Sequence, residues 1–248
     1  MQDRGLAAYI TELVGTFFLV FFITSVVILY VATGAQAQFG SDYAVVGFAS
    51  GLVLFALALA LGGVSGGHFN PAVTAAAAAL RKIDPVDAVV YILAQLAGGV
   101  LGAWLAKGLL KDEGLAGHYG AATVSPLLGG NFQGFIVEAI GTFVLVLAFL
   151  AVVFHPRARK EWAPLGYGLT LVFLVMVFGP LTGAAVNPAR WFGPALVGTE
   201  FNDVWPYLGG ELIGAGLAAG FFALVVAPGE RGPGRAETTA ERPTRGGT

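Results

Sequence analysis

The stretch Ser65-Gly-Gly-His68-Phe69-Asn70-Pro71-Ala72-Val73-Thr74 returns in altered form as Thr182-Gly-Ala-Ala-Val-Asn187-Pro188-Ala189-Arg190-Trp191. Each copy sits inside a hydrophobic run. Asn is a strong helix N-cap, and Pro fits the first helical position but breaks a helix already under way. Each Asn-Pro-Ala therefore predicts a helix that begins in the middle of an apolar segment. At membrane depth such a break is tolerated only where the freed backbone is buried in protein or lines a cavity. Two of them, one in each half of the chain, point to a site near the bilayer midplane.

The surrounding composition fits that reading. The chain has 248 residues, 56% hydrophobic and only 11% charged, against roughly 25% charged in a soluble domain. Runs such as 44–61, 136–153 and 165–178 carry almost no charge and approach the length of about 20 residues that a membrane helix needs. The predicted class is an all-α polytopic membrane protein, with no alternation that suggests a β-barrel. Six spans are expected, near 8–31, 43–62, 84–106, 133–154, 164–181 and 204–226. Segments 70–80 and 187–197 are too short to cross. At ~1.5 Å per residue each reaches roughly half of the ~30 Å hydrocarbon, as two half-helices entering from opposite sides.

The halves resemble each other beyond the motif. Glu12-Leu-Val-Gly15-Thr16-Phe17 matches Glu138-Ala-Ile-Gly141-Thr142-Phe143, and Tyr91 through Gly98 matches Tyr207 through Gly214. An internal repeat with three spans per half is inverted in topology, with a pseudo-two-fold axis in the membrane plane. The chain divides into a first repeat (1–107), a connecting extracellular loop (108–132), a second repeat (133–226) and a tail (227–248). The tail is rich in Gly, Pro, Thr, Glu and Arg and is expected to be disordered. Of the 13 Lys and Arg residues, all but Lys107, Lys111 and Arg190 fall on the side of the termini, so both termini are expected in the cytoplasm. The first apolar run reads as a retained helix, and the expected location is the plasma (cytoplasmic) membrane, as an integral protein.

If the Asn70 side-chain oxygen accepts the first N–H groups of its half-helix, its amide N–H₂ is left to face a pore. Asn187 does the same from the other side. The two helix N-termini add positive dipole ends that oppose cations and protons. Glu12 and Glu138 are either proton-relay carboxylates, as in a coupled transporter, or acceptors for the N–H groups of the re-entrant loops. His68 either gates the pore or lines its loop. Glu211 stands where the first half has Gln95 and reads as a protonated or hydrogen-bonded packing residue. Glycines 98, 102, 210 and 214, four apart, fit close helix packing. Gly63-Val-Ser65-Gly-Gly67 matches the G-x-S-x-G nucleophile elbow, but a membrane helix precedes it where that motif needs a strand. The three His are too scattered for a metal site, and cysteine is absent. Neither a cofactor nor a nucleic-acid partner is indicated, and no enzyme activity is expected.

The two motif stretches, the second continued by Phe192-Gly193-Pro194, resemble loops B and E of the major intrinsic proteins, the aquaporins and aquaglyceroporins. The resemblance covers roughly residues 8–226. It implies a right-handed six-helix bundle with two half-helices, one pore per protomer, and a homotetramer in the lipid bilayer. It also implies a four-position selectivity filter, carried over by distance from the motifs onto Ser50, Val175, Ala184 and Arg190. Water-selective members usually have Phe at the first of these and His at the second; glycerol channels have large aromatics at the first and third. This chain has neither set, and Trp191 matches neither subgroup. The small residues resemble nodulin-26-like and bacterial arsenic-linked members. The expectation is a passive channel with a wide filter for small neutral solutes besides water. Glycerol, urea, arsenite, antimonite, boric acid and silicic acid are the candidates. A mainly water-conducting aquaporin and a secondary transporter are the alternatives.

Overall fold

The computed structural model describes residues 5–32 and 39–228. Among the described residues eight α-helices run in order: α1 (Gly5–Val27), α2 (Phe39–Ser65), α3 (Pro71–Ala79), α4 (Pro85–Leu109), α5 (Asn131–Phe154), α6 (Ala163–Thr182), α7 (Pro188–Gly198) and α8 (Val204–Phe221). Single π-helical turns extend α1 over Ile28–Ala32 and α8 over Phe222–Val226. No strand occurs among the described residues. Six helical segments among the described residues are long and apolar enough to cross a membrane: Gly5–Val31, Asp42–Ser65, Pro85–Leu109, Asn131–Phe154, Lys160–Thr182 and Val204–Val226. The expected spans are all present, most of them longer by a few residues at one or both ends. The two short helices α3 and α7 are the expected half-helices.

Their starting points follow from local chemistry. The Asn70 side-chain oxygen accepts from Ala72 N, and that of Asn187 from Ala189 N and Arg190 N, with Pro71 and Pro188 each at the start of its helix. Asp84 caps α4 in the same way ahead of Pro85, so Pro lies in each case where its missing N–H costs nothing.

The packing repeats the internal symmetry. α1 lies along α4, α5 along α8, and α2 crosses α6 between the halves, while each half-helix also packs on the third span of the opposite half, α3 on α8 and α7 on α4. Small residues set these distances. A Cβ at Gly98 would stand 2.4 Å from the carbonyl oxygen of Leu13, and one at Gly214 would stand 2.4 Å from that of Ala139. These are equivalent positions in the two repeats, so backbone meets backbone in both, as the four-residue glycine spacing predicts. Between α4 and α7 the contact is reciprocal: a Cβ at Gly99 would meet the Ala189 carbonyl oxygen at 2.5 Å, and one at Gly193 the Gly99 carbonyl oxygen at 2.4 Å. Gly193→Ala is therefore expected to push α7 off α4 and cost about 1–3 kcal/mol. A lower thermal midpoint in detergent than wild type checks it, and an unchanged midpoint refutes it.

Large side chains such as Leu6, Leu93, Trp104, Val177 and Leu217 are exposed on the outside of the bundle. Such a surface suits hydrocarbon and not water.

Residues 108–132, the expected connecting loop, carry short helical turns and fixed contacts. α4 runs on to Leu109, and short 3₁₀ turns form at His118–Gly120 and Pro126–Leu128. Val124 N donates to Asp203 Oδ2 at 2.8 Å, and Ser125 N to the Leu181 carbonyl at 2.8 Å. Lys107 Nζ donates to the Val197 carbonyl at 3.0 Å near the end of α7, where a cation is favoured by the helix dipole. The connector is thus pinned to the end of α6 and to the residue that precedes α8. Apart from 227 and 228, the tail expected to be disordered lies outside the described residues.

Candidate functional site

The two re-entrant loops, 66–70 and 183–187, are built on buried carboxylates. Glu12 Oε1 accepts from Ser65 Oγ (2.6 Å) and His68 N (3.0 Å), and Oε2 from Phe69 N (2.7 Å) and Gln95 Nε2 (2.7 Å). Glu138 repeats the plan. Its Oε1 accepts from Thr182 Oγ1 (2.5 Å) and Ala185 N (3.0 Å), and its Oε2 from Val186 N (2.8 Å). Tyr91 and Tyr207 donate to the Ser65 and Thr182 carbonyls at 2.8 and 2.7 Å. Irregular backbone cut off from water needs such partners. These bonds favour the loop-acceptor reading of both glutamates over a proton relay.

The His68 side chain is buried against three helices. It is 1% exposed, its Nδ1 lies 3.0 Å from Thr74 Oγ1, and its ring packs edge-on to Tyr91 and Phe149. In the second half Glu211 breaks the symmetry. Gln95 bonds Glu12, whereas Glu211 Oε1 accepts from Asn187 N at 2.8 Å and its Oε2 is buried without a protein partner. Trp191 is buried and stacks on Tyr207, with ring centroids 5.9 Å apart.

The asparagines do more than cap. Asn70 Nδ2 donates to the Val186 carbonyl at 2.8 Å, and Asn187 Nδ2 to the Phe69 carbonyl at 2.9 Å. Each amide therefore commits one of its two N–H groups to the opposite loop, and only the other remains for the pore. This corrects the expectation that both stay free. The accepting residues are bent to suit: Phe69 and Val186, equivalent in the repeat, have φ of 48° and 42°. A β-branched residue there is a genuine outlier. Val186 is held on both sides, its N–H by Glu138 and its carbonyl by Asn70.

Three cavities lie in series through the bundle. A vestibule of about 450 Å³ opens on the connector side, lined by residues such as Tyr43, His118 and Arg190. A vestibule of about 430 Å³ opens on the side where α1 begins, lined by residues such as Ala58, Gly67, Phe149 and Tyr167. Between them is a central space of only about 20 Å³, room for one or two waters. Asn70 and Asn187 line it, as do Ser50, Val175, Ala184 and Arg190. Val46, Gly183 and Arg190 belong to both the central and the connector-side cavities, while Tyr167 belongs to both the central and the opposite one.

The four residues named by spacing thus face one lumen. Two of them offer free polarity. Ser50 Oγ and Arg190 Nη1 are both buried without a protein hydrogen-bond partner, so a hydroxylated solute could bond to each. The rest of the wall is aliphatic, including Leu19, Val46, Leu54, Leu145 and Leu171. That wall and Tyr167 were not read from the sequence. The signal was available: Val46, Ser50 and Leu54 lie four apart on one face of α2, as do Tyr167, Leu171 and Val175 on α6.

Comparison with known proteins agrees with this geometry. Residues 2–222 match the family described as Major intrinsic protein. The chain is 38% identical to the glycerol uptake facilitator protein-like 6 of Lactiplantibacillus plantarum, over 85% of this chain and 94% of that one. It is 39% identical to nodulin-26 of Glycine max over 71% of this chain and 63% of that one. Against aquaporin AqpM of Methanothermobacter thermautotrophicus the identity is 35%, over 85% and 93%. The aquaglyceroporin structure from Plasmodium falciparum matches in fold, with a TM-score of 0.77 at 23% identity over 90% of this chain and 97% of that one. The chain belongs to the major intrinsic protein family, integral membrane channels for small solutes and not enzymes.

Proposed function

We propose that this channel passes small neutral hydroxylated solutes as well as water, through a filter formed by Ser50, Val175, Ala184 and Arg190. Glycerol and urea head the candidates, with arsenite, antimonite, boric and silicic acids of suitable shape. The observation that carries this is the joint lining of one central space by these four residues and both asparagines. No Phe or His narrows it at positions 50 and 175. Ser50 supplies a hydroxyl donor and acceptor, and Arg190 supplies fixed donors and a positive charge that opposes cations. The name of one relative, a glycerol uptake facilitator, fits the same solute class.

One observation favours a narrower reading. A central space of about 20 Å³ suits water in single file. Stopped-flow light scattering on proteoliposomes separates the two. Glycerol and urea uptake well above bare lipid, unsaturated and independent of a proton gradient, is the expected result. Water flux with glycerol, urea and arsenite all at the lipid level would leave the water-conducting reading.

The assembly is a homotetramer with one pore per protomer, in a plasma (cytoplasmic) membrane and with both termini cytoplasmic. The distribution of Lys and Arg supports that orientation, and the exposed apolar faces leave room for protomer and lipid contact alike.

A further inference from the structure

The internal two-fold relates each filter position to a mate on the other side of the asparagine pair. Counted back from Asn187 as Ser50 is from Asn70, the mate of Ser50 is Tyr167. By the same spacing Ala58 is the mate of Val175, Gly67 of Ala184 and Val73 of Arg190. Tyr167, Ala58 and Gly67 all line the cavity on the side where α1 begins. The symmetry is also visible in the backbone, since Gly67 and Ala184 both have positive φ.

From this geometry we propose that Tyr167 forms a second constriction of the pore, an uncharged aromatic one that sets an additional size limit on solutes. The proposal rests on the reading that solutes cross the central space. Tyr167 is 2% exposed and lines both the central and the α1-side cavities. It lies two helical turns from Val175, ~12 Å along α6, with the asparagine pair lining the space from which both are reached. Its ring is held from two directions. The hydroxyl donates to the His68 carbonyl at 3.0 Å, and the ring packs edge-on against Phe149 with centroids 5.1 Å apart. A phenol fixed at both ends does not swing aside as a free side chain does. On this side the place of Arg190 is taken by buried Val73, so the threshold discriminates by size and apolarity and not by charge.

The test measures water and glycerol permeability in the same proteoliposomes for wild type, Tyr167→Leu and Tyr167→Phe. Tyr167→Leu should raise the glycerol-to-water ratio by roughly threefold or more, because selectivity follows pore diameter. Tyr167→Phe keeps the ring and its packing on Phe149 but loses the bond to His68, so its ratio should rise less than that of Tyr167→Leu. Should Tyr167→Leu fail to fold, Tyr167→Ala and Tyr167→Val replace it, judged by the same ratio in protein that elutes as wild type does. A folded variant with the wild-type ratio overturns the proposal, and so does a parallel fall in both fluxes, which marks a merely structural role. Wild type closed to glycerol, with Tyr167→Leu open to it, would refute the broad-solute reading while upholding the constriction.

Discussion

A Glu138→Ala protein is expected to lose channel activity and to unfold well below the wild-type temperature. The carboxylate accepts from Thr182 Oγ1, Ala185 N and Val186 N. Its removal orphans three buried donors, each costing about 1–3 kcal/mol, or roughly 3–9 kcal/mol together. That is comparable to the ~5–15 kcal/mol of a whole domain. The damage falls on the loop that carries Ala184, Asn187 and Arg190. Val186 is held at φ 42°, and such a conformation, worth about 1–3 kcal/mol of strain, persists only while its surroundings enforce it. Without Glu138 only the Asn70 amide holds it. Glu138→Gln should fall between, since the amide oxygen can still accept two donors but its N–H₂ then meets the third. Thermal unfolding in detergent and stopped-flow water flux check both variants. Wild-type flux from folded Glu138→Ala would show that the loop does not depend on these bonds.

Much of this architecture was legible because its signals are local. An Asn beside a Pro caps a helix wherever it lies, so α3 and α7 could be placed from three residues each. Glycines four apart report backbone contact between helices, and the Gly98 and Gly214 contacts follow. The four filter positions were implied by the resemblance to the major intrinsic proteins and not by local chemistry, and they line one cavity. What local chemistry cannot show is which distant atom receives a given donor. The Asn70 amide bonds to Val186, across a separation of 116 residues. No pattern within either loop reveals that cross-link. Glu211 was obscure for a similar reason, because its partner is the Asn187 backbone N–H and not the residue that its counterpart Gln95 bonds. Tyr167 is hidden differently: it lies twenty residues before Asn187, outside both motif stretches, and only its place in the wall of the two cavities ties it to the pore.

Ser50→Phe combined with Val175→His is expected to cut glycerol flux by about tenfold or more and water flux by much less. Both side chains line a space of only about 20 Å³, so an added ring has little room except in the lumen itself. The walls do not yield, because α2 and α6 cross in backbone contact here: a Cβ at Gly51 would stand 2.4 Å from the Gly168 carbonyl oxygen. A His at 175 also brings a ring nitrogen that can bond to a passing water, offsetting part of its lost hydration, while glycerol gains no such room. Equal loss of both fluxes, or loss of neither, would remove these positions from the filter. The order of constrictions gives a sharper consequence. Two narrow points in series add their resistances, and the larger one controls the flux. In the wild-type pore the connector-side point has Ser and Val, so replacing Tyr167 should raise glycerol flux. Once position 50 carries Phe and position 175 carries His, the connector side dominates. The same Tyr167→Leu change should then leave glycerol flux almost unaltered. A full gain from Tyr167→Leu in that background would mean that glycerol does not pass the two points in succession.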